Sequence, residues 1–471
     1  MSVDAVTSAR MRDDALRLFQ NADARPVHFV GIAGAGMSAL AELFVRRGVR
    51  VTGSDMSAAG NADLEALGVT VHRRHDAAFV NGARAVVASS AIPAEHVELR
   101  AAVQLGLPII RRAEALGAAV AGMHIVGIAG THGKTTTTVM TTEALIGTAA
   151  APTGIVGGRV QRWGGNLRWG GGNTVVVEAD EYDRSFLALH PGIAVVTNIE
   201  ADHLDIYRDL ADILATFGEY VAGAKGIVLC ADDAGAESLM LPDHADVIRY
   251  GLDHPDARLV GITHGDAMRV LFDGAPLGDL TLRVPGAHNR RNALAALGAG
   301  LLLGYQFEQL RPGLEAFGGV ERRFEHKGEA CDVLVVDDYA HHPTEVRATL
   351  EAARAAFPGR RIVTLFQPHL FTRTRDFAEE FGAALAEGSD VIALTDIYKA
   401  REMPIDGVSA QLISDASARA GHGPDWFGLR ADATDGVLGL LLPGDVVLTM
   451  GAGDVTQVGP ELLRALRGEP R

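Results

Sequence analysis

His124-Ile125-Val126-Gly127-Ile128-Ala129 runs directly into Gly130-Thr131-His132-Gly133-Lys134, and Thr135 to Ile146 follows with a helical pattern. An apolar, β-branched run that empties into a glycine loop at a helix start reads as strand, phosphate loop and helix, the opening of an α/β nucleotide domain. Lys134 and Thr135 then stand at a helix N-terminus, where amides, an ammonium and a hydroxyl hold phosphates and Mg²⁺. The strict Walker A spacing would need glycine at Ile128, whereas this chain supplies Gly127 and Gly130. A chance Gly-Lys-Thr at a strand-to-helix junction is the bland alternative; ATP binding is the expectation.

Upstream, Val27 to Gly31 reads as a buried strand, Met37 to Arg47 as a helix and Val49 to Gly53 as the next strand, a βαβ unit. Its loop, Gly34-Ala35-Gly36-Met37-Ser38-Ala39, satisfies G-x-G-x-x-G/A, and Asp55 ends the second strand where a ribose-binding acid would lie. This pattern suits any pyrophosphate ligand, NAD or a UDP-sugar alike, and a purely structural turn is its bland reading.

Downstream, Thr174 to Val177 and Ile193 to Thr197 read as central parallel strands, and acid-rich segments follow each: Glu178-Ala179-Asp180-Glu181-Tyr182-Asp183 and Asn198-Ile199-Glu200-Ala201-Asp202-His203. Hard oxygen ligands such as Glu178 suit Mg²⁺, although solvated loops and ion pairs account equally well for Asp180, Glu181, Asp183, Glu200 or Asp202. Asn289 to Leu303 reads as a helix and Gly318-Gly319 as a linker. Beyond it, strands at Val333 to Val336, Arg361 to Phe366, Val391 to Leu394 and Val446 to Met450 alternate with helical stretches. His341 and His342 point to substrate contact or structural hydrogen bonding rather than zinc. Arg373 and Arg375 offer guanidinium forks suited to an α-carboxylate.

At 471 residues, with 48% hydrophobic and 22% charged residues, the chain is expected to form two or three α/β domains. A net charge of −16 argues against a nucleic-acid partner, so phosphate sites must be built locally. Two distant cysteines, Cys230 and Cys331, offer neither zinc spacing nor a disulfide framework. Met1 to Asp14 lacks an apolar signal core and no run approaches a membrane span, so a cytoplasmic protein without a membrane partner is expected.

Taken together, Gly31 to Ser38, Gly130 to Thr136, Glu178 to Glu181, Asn198 to His203, Asp338-Tyr339-Ala340-His341-His342-Pro343-Thr344-Glu345 and Gln367-Pro368-His369 resemble the Mur ligases in order and spacing, over nearly the whole chain. The resemblance implies three domains: a Rossmann-like N-terminal domain for a UDP-sugar over 1–122, a central P-loop ATPase-like domain over 123–320, and a Rossmann-like C-terminal domain over 321–471 that closes on ATP and the amino acid. It points to the branch of the family that joins L-alanine to UDP-N-acetylmuramate with ATP and Mg²⁺. By this analogy the UDP-sugar meets Gly34, Gly36, Met37, Ser38, Asp55, His75, Ser89 and Ser90. Gly130, Thr131, His132, Gly133, Lys134, Thr135 and Thr136 serve the ATP phosphates; Thr135, Glu178 and His203 serve the metal. His288 and Asn292 lie at the adenine end, while Arg323 and Asp338 complete the ATP site. Tyr339, His342, Arg373 and Arg375 are the amino-acid candidates, and Lys134, Glu178 and His203 the catalytic set. A monomer or weak homodimer is expected.

Related ligases carry a carbamylated lysine some fifteen residues beyond the equivalent of His203; Gly218 stands in that region, with Lys225 the nearest lysine, so no carbamate is expected. The competing readings are a ligase that recycles a tripeptide onto UDP-N-acetylmuramate, an NAD-dependent oxidoreductase, and a non-catalytic nucleotide-binding regulator. The oxidoreductase leaves the Lys134 loop without a purpose.

Overall fold

The computed structural model describes residues 13–19, 23–57, 61–89, 91–204, 206–400 and 402–469. Three sheets organise them. The first comprises β1 (Val27–Val30), β2 (Val51–Ser54), β3 (Thr70–His72), β4 (Ala85–Ala88) and β5 (Ile109–Arg111), all parallel in the order β3-β2-β1-β4-β5. The strand order reverses between β1 and β4, so the loop after β1 opens at a topological switch point, where α/β sheets bind ligands.

The second sheet has ten strands: β6 (His124–Ala129), β7 (Thr153–Val160), β8 (Gly165–Arg168), β9 (Thr174–Glu178), β10 (Ile193–Val196), β11 (Gly226–Cys230), β12 (Asp246–Leu252), β13 (Leu259–His264), β14 (Ala267–Phe272) and β15 (Ala275–Thr281). β6 lies between β9 and β10, parallel to both, which puts the phosphate loop at the centre of the sheet's carboxyl edge. Antiparallel β13, β14 and β15 close one edge and β8 the other. The third sheet, β16 (Glu325–Ala330), β17 (Val333–Asp338), β18 (Ile362–Phe366), β19 (Val391–Thr395), β20 (Trp426–Gly428) and β21 (Val446–Met450), runs in the order β16-β17-β21-β18-β19-β20, with only β16 antiparallel to its neighbour.

The central strands are buried along their length because helices cover both faces, which is why they read as unbroken apolar runs. Helices α1 (Ala35–Arg46), α2 (Val97–Gln104) and α3 (Arg112–Val120) belong with the first sheet, and α4 (Lys134–Leu145) and α5 (Leu210–Val221) with the second. Every residue of α4 after Lys134 is buried, although six of them are threonines. Thr138, Thr141 and Thr142 satisfy their hydroxyls by donating to the carbonyl four residues back, which lets a polar helix enter the core.

By Cα proximity the chain divides into two compact units, Met1–Thr281 with Arg291–Phe317, and Leu282–Arg290 with Gly318–Arg471. The first contains both N-terminal sheets, and one apolar cluster runs through it from Phe29 and Leu40 to Val177 and Phe217. The second is built on the third sheet, whose two faces carry separate apolar clusters. Gly318-Gly319 therefore coincides with a unit boundary, and Gly319 is left-handed at φ 98°. Helix α6 (Ala287–Leu302) contains the other boundary, at Arg290/Arg291, which no sequence signal marks.

Candidate active site

The phosphate loop is shaped by two glycines in the left-handed region, Gly130 at φ 138° and Gly133 at φ 80°. A Cβ at Gly130 would clash with Thr197 Oγ1, and one at Gly133 would lie 2.8 Å from Asn292 Oδ1. Neighbouring strands hold the loop from outside. The Asn198 carbonyl accepts from the Thr131 amide (3.0 Å), Asn198 Oδ1 accepts from the His132 amide (2.7 Å), and Thr197 Oγ1 donates to the His132 carbonyl (2.6 Å). Thr131 Oγ1 in turn accepts from the Glu200 amide at 2.9 Å. These bonds leave α4 with no side-chain cap, so its first-turn amides face the loop.

Lys134 Nζ donates to the carbonyls of Gly130 (2.7 Å) and Thr131 (3.1 Å) and pairs with Glu181 at 2.9 Å. Burial works against this ammonium, but the Glu181 and Asp180 carboxylates outweigh it and hold its pKa above the ordinary lysine value. His203 Nε2 lies 3.7 Å from both Glu181 Oε1 and Asp202 Oδ2, on a residue that is itself left-handed at φ 54°. Thr135 Oγ1 donates to Glu178 Oε1 at 2.8 Å, while Glu178 Oε2 accepts from the Gly157 amide at 2.6 Å. Lys134, Thr135, Glu178 and His203, separated by up to 69 positions, thus share one carboxylate-rich locus. A hydroxyl bonded to a carboxylate at a helix N-terminus is a donor set that fits Mg²⁺.

In the first glycine loop the left-handed residue is Gly31, at φ 78°, rather than Gly34 or Gly36. Gly36 instead leaves room for the Arg112 guanidinium, which a Cβ would approach to 2.9 Å. Asp55 braces the loop: Oδ2 accepts from the Ala33 amide (2.9 Å) and Oδ1 from the Ser57 amide (2.8 Å). Met37 is packed in the core, which leaves only its backbone for a ligand, and Ser38 Oγ donates to the Ala35 carbonyl. Ser89 Oγ accepts from the Ala91 amide, and Ser90 lies outside the described residues. His75 Nδ1 faces Ser54 Oγ at 3.0 Å. A cavity of about 750 Å³, lined by Arg112, Glu114, Asp180, Tyr182 and Arg184 among others, extends from the residue against Gly36 to the two residues flanking Glu181.

In the second unit, Asp338 Oδ2 accepts from the Phe324 amide (2.7 Å) and Oδ1 from the Ala340 amide (2.8 Å). Burial pushes its carboxyl up to about 6, against the opposing pull of Arg323. Asp338 thereby holds a turn in which Arg322 and Phe324 are left-handed, at φ 60° and 51°, and which presents Arg323 over the Tyr339 ring at 5.2 Å and toward Glu345 at 3.5 Å. His342 caps α7 (Pro343–Ala356), accepting from the Thr344 amide. In α8 (Phe371–Asp376) Arg373 is buried, while Arg375 pairs on the surface with Asp376 at 2.7 Å. His288 belongs to this unit and Asn292 to the other.

Residues 26–124 match the family model of the Mur ligase catalytic domain, 128–300 that of the Mur ligase middle domain, and 322–453 that of the Mur ligase glutamate ligase domain. The chain is 43% identical over 455 residues to the UDP-N-acetylmuramate–L-alanine ligase of Salinibacter ruber, covering 94% of this chain and 96% of that one. It is 46% identical over 451 residues to the enzyme of the same description from Renibacterium salmoninarum, at 93% and 96% coverage. The chain belongs to the Mur ligase family. Among solved structures, the Thermotoga maritima UDP-N-acetylmuramate-alanine ligase superposes with a TM-score of 0.80 at 27% identity, covering 94% of this chain and 99% of that one. A murein peptide ligase from Psychrobacter arcticus shares the fold, with a TM-score of 0.70 at 24% identity and coverage of 95% and 100%.

In this Mur ligase Gly218 lies inside α5, and Lys225 is exposed at the amino end of β11, where its amide bonds the Gly192 carbonyl ahead of β10. β10, β11 and β6 are parallel, so Lys225 is at the opposite edge of the sheet from the phosphate loop. Sequence reasoning did not single out Arg112, whose guanidinium lies against Gly36 and lines the cavity. Among the described residues it has no carboxylate partner, and its only sequence signal is an Arg-Arg pair closing the apolar run Pro108-Ile109-Ile110.

Proposed function

We propose that this chain joins L-alanine to the lactyl carboxylate of UDP-N-acetylmuramate at the expense of ATP, through an acyl phosphate, giving UDP-N-acetylmuramoyl-L-alanine, ADP and phosphate. The observation that carries this reading is the Lys134, Thr135, Glu178 and His203 locus, in a chain that matches UDP-N-acetylmuramate–L-alanine ligases along nearly its whole length. Residues 1–122 take the UDP-sugar, 123–320 the ATP and 321–471 the amino acid. The protein works in the cytoplasm as a monomer or weak homodimer, without nucleic-acid or membrane partners.

A carboxylate is a poor acyl donor because its leaving group would be oxide. A lactyl carboxylate oxygen therefore attacks the γ-phosphorus, the bond to the ADP oxygen breaks, and the acid becomes an acyl phosphate. Two anions meet in that step, and Lys134 with the α4 amides offsets the charge that spreads over the equatorial oxygens. Thr135, Glu178 and His203 would hold Mg²⁺, which supplies further neutralisation of phosphate charge. The neutral alanine amine then attacks the acyl carbon, and the tetrahedral adduct expels phosphate as the amine gives up a proton. Arg373, buried where Arg375 is not, receives the α-carboxylate, and Tyr339 and His342 bound the side chain. Arg112, beside the first glycine loop, receives the pyrophosphate.

The acyl phosphate is tested with UDP-N-acetylmuramate carrying ¹⁸O in its lactyl carboxylate. One ¹⁸O should appear in each released phosphate; phosphate free of label would exclude the intermediate.

A further inference from the structure

The N-terminal sheet holds a fully buried carboxylate that the proposed reaction does not use. Glu98, the second residue of α2, has no solvent exposure. Its Oε2 accepts from Ser54 Oγ at 2.6 Å and its Oε1 from the Asp76 amide at 3.1 Å. Two imidazoles face it: His28 Nε2 lies 3.5 Å from Oε2, and His75 Nδ1 lies 3.4 Å from Oε1. Burial opposes ionisation here, but the nearby His28 imidazole and the bonds from Ser54 and the Asp76 amide outweigh it and hold the carboxyl down to about 2. An ion this deep needs donors on every side.

The arrangement also decides where a proton sits. A serine hydroxyl has one hydrogen to give. The ionised Glu98 oxygen at 2.6 Å takes it, so Ser54 Oγ meets His75 Nδ1 at 3.0 Å as an acceptor. Nδ1 must then carry the hydrogen, toward Ser54 and Glu98 together. In a neutral imidazole the other ring nitrogen, Nε2, is left with a lone pair. His75 keeps about a fifth of its side chain exposed, at the strand end shared with Asp55, whose amide bonds the His72 carbonyl.

We propose that Glu98, acting with Ser54, is a positioning residue that locks His75 in the Nδ1–H tautomer and makes its Nε2 the hydrogen-bond acceptor for the uridine part of the sugar nucleotide. Uridine offers donors that match such a lone pair, the imide N–H and the ribose hydroxyls, whereas the pyrophosphate offers acceptors only. Glu98 thus selects which portion of the donor His75 can read, in the way that an outer carboxylate orients a metal-bound imidazole. The role assigned to His75 rests on the proposed UDP-N-acetylmuramate reading; the tautomer does not.

The test combines ¹⁵N NMR of the histidine rings in the full-length enzyme with calorimetric titration of UDP-N-acetylmuramate. In the wild type, His75 should show a protonated Nδ1 and a bare Nε2, and Glu98→Gln should move population to the Nε2–H form. Glu98→Gln and His75→Ala should each weaken UDP-N-acetylmuramate binding about tenfold, and the double variant should bind no worse than His75→Ala alone. For Glu98→Gln at saturating substrate, kcat and the KM for ATP should stay within about twofold of wild type, a split that general loss of structure would not produce. Ser54→Ala leaves Glu98 Oε1 3.4 Å from Nδ1 and should keep the Nδ1–H form, so if Glu98→Gln fails to fold, the wild-type tautomer and the His75→Ala affinity decide the matter. An Nε2–H tautomer in the wild type, wild-type affinity in Glu98→Gln or His75→Ala, or losses that add fully would overturn the proposal. A wild type that folds with the Nδ1–H tautomer yet does not bind UDP-N-acetylmuramate would overturn the donor reading instead.

Discussion

Lys134 Nζ lies 2.9 Å from Glu181 Oε1 and 2.8 Å from Glu181 Oε2, in a contact that joins a partly buried ammonium to a buried carboxylate. An ammonium has three hydrogens, and the Gly130 and Thr131 carbonyls receive the others. The loop, the lysine and the acid segment after β9 therefore form one bonded unit, and in the proposed reaction a phosphate oxygen would reach Lys134 by replacing one of these acceptors.

Lys134→Ala should lower turnover by at least about 100-fold, the scale of removing one group that stabilises developing charge. Binding of UDP-N-acetylmuramate should be unchanged, because the first glycine loop and Arg112 lie on other elements. Phosphate release and calorimetry on the same folded variant check both halves. Substantial retained activity would remove Lys134 from the ATP site.

Arg373 and Arg375 are two positions apart, yet only Arg373 is buried, while Arg375 is held by Asp376. Arg373→Lys should raise the KM for L-alanine by about 10-fold or more, since an ammonium does not reproduce a guanidinium fork. Arg375→Ala should change it by less than about threefold, as expected for an exposed ion pair. Steady-state kinetics in L-alanine separate the two, and the reverse ranking would reassign the α-carboxylate.

Removing bicarbonate and carbon dioxide should leave activity unaltered. Gly218 occupies the helix where related ligases carry a modified lysine, and Lys225 emerges at the far edge of the sheet. Activity that falls on degassing and returns with bicarbonate, with 44 Da of added mass on Lys225 (roughly one carbamate), would contradict this.

Acid stability should depend on Glu98. Its folded pKa of about 2 lies below the ordinary 4.5, so the folded state binds fewer protons in between. The stabilisation is present above 4.5 and is lost as pH falls from 4.5 toward 2. It amounts to at most about 3 kcal/mol. Glu98→Gln should therefore unfold in urea with a weaker pH dependence below pH 5 than the wild type; parallel curves would show that folding does not lower the Glu98 pKa, and a wild type that loses stability relative to the variant as pH rises would show a carboxyl kept neutral in the folded protein.

Much of this was legible in the residues. The strands His124–Ala129 and Val446–Met450 have the expected bounds because both faces are covered and the apolar run is continuous. The strand expected at Val49 to Gly53 begins instead at Val51, since the Val49 amide bonds the Phe44 carbonyl and closes the end of α1. α1 begins at Ala35 because the amides of Met37 and Ser38 bond the Gly34 carbonyl, so the glycine loop is itself the first turn. The edge strands β8 and β13 to β15 escaped notice because polar, charged and glycine residues interrupt their alternation. Arg112 and Glu98 were invisible for another reason: each matters through a partner distant in sequence, Gly36 for one and Ser54 with His75 for the other.

The most direct measurement of the central claim is phosphate release from ATP across a panel of acceptors, with the amide product weighed by mass spectrometry. With UDP-N-acetylmuramate present, L-alanine should react fastest, and glycine and L-serine more slowly, since a single small group in a pocket is worth only about 1 to 3 kcal/mol. D-alanine, D-glutamate and the L-Ala-γ-D-Glu-diaminopimelate tripeptide should not react, and omitting either UDP-N-acetylmuramate or the amino acid should abolish release. A preference for the tripeptide would identify a recycling ligase, and no release with any acceptor would contradict ligase activity altogether.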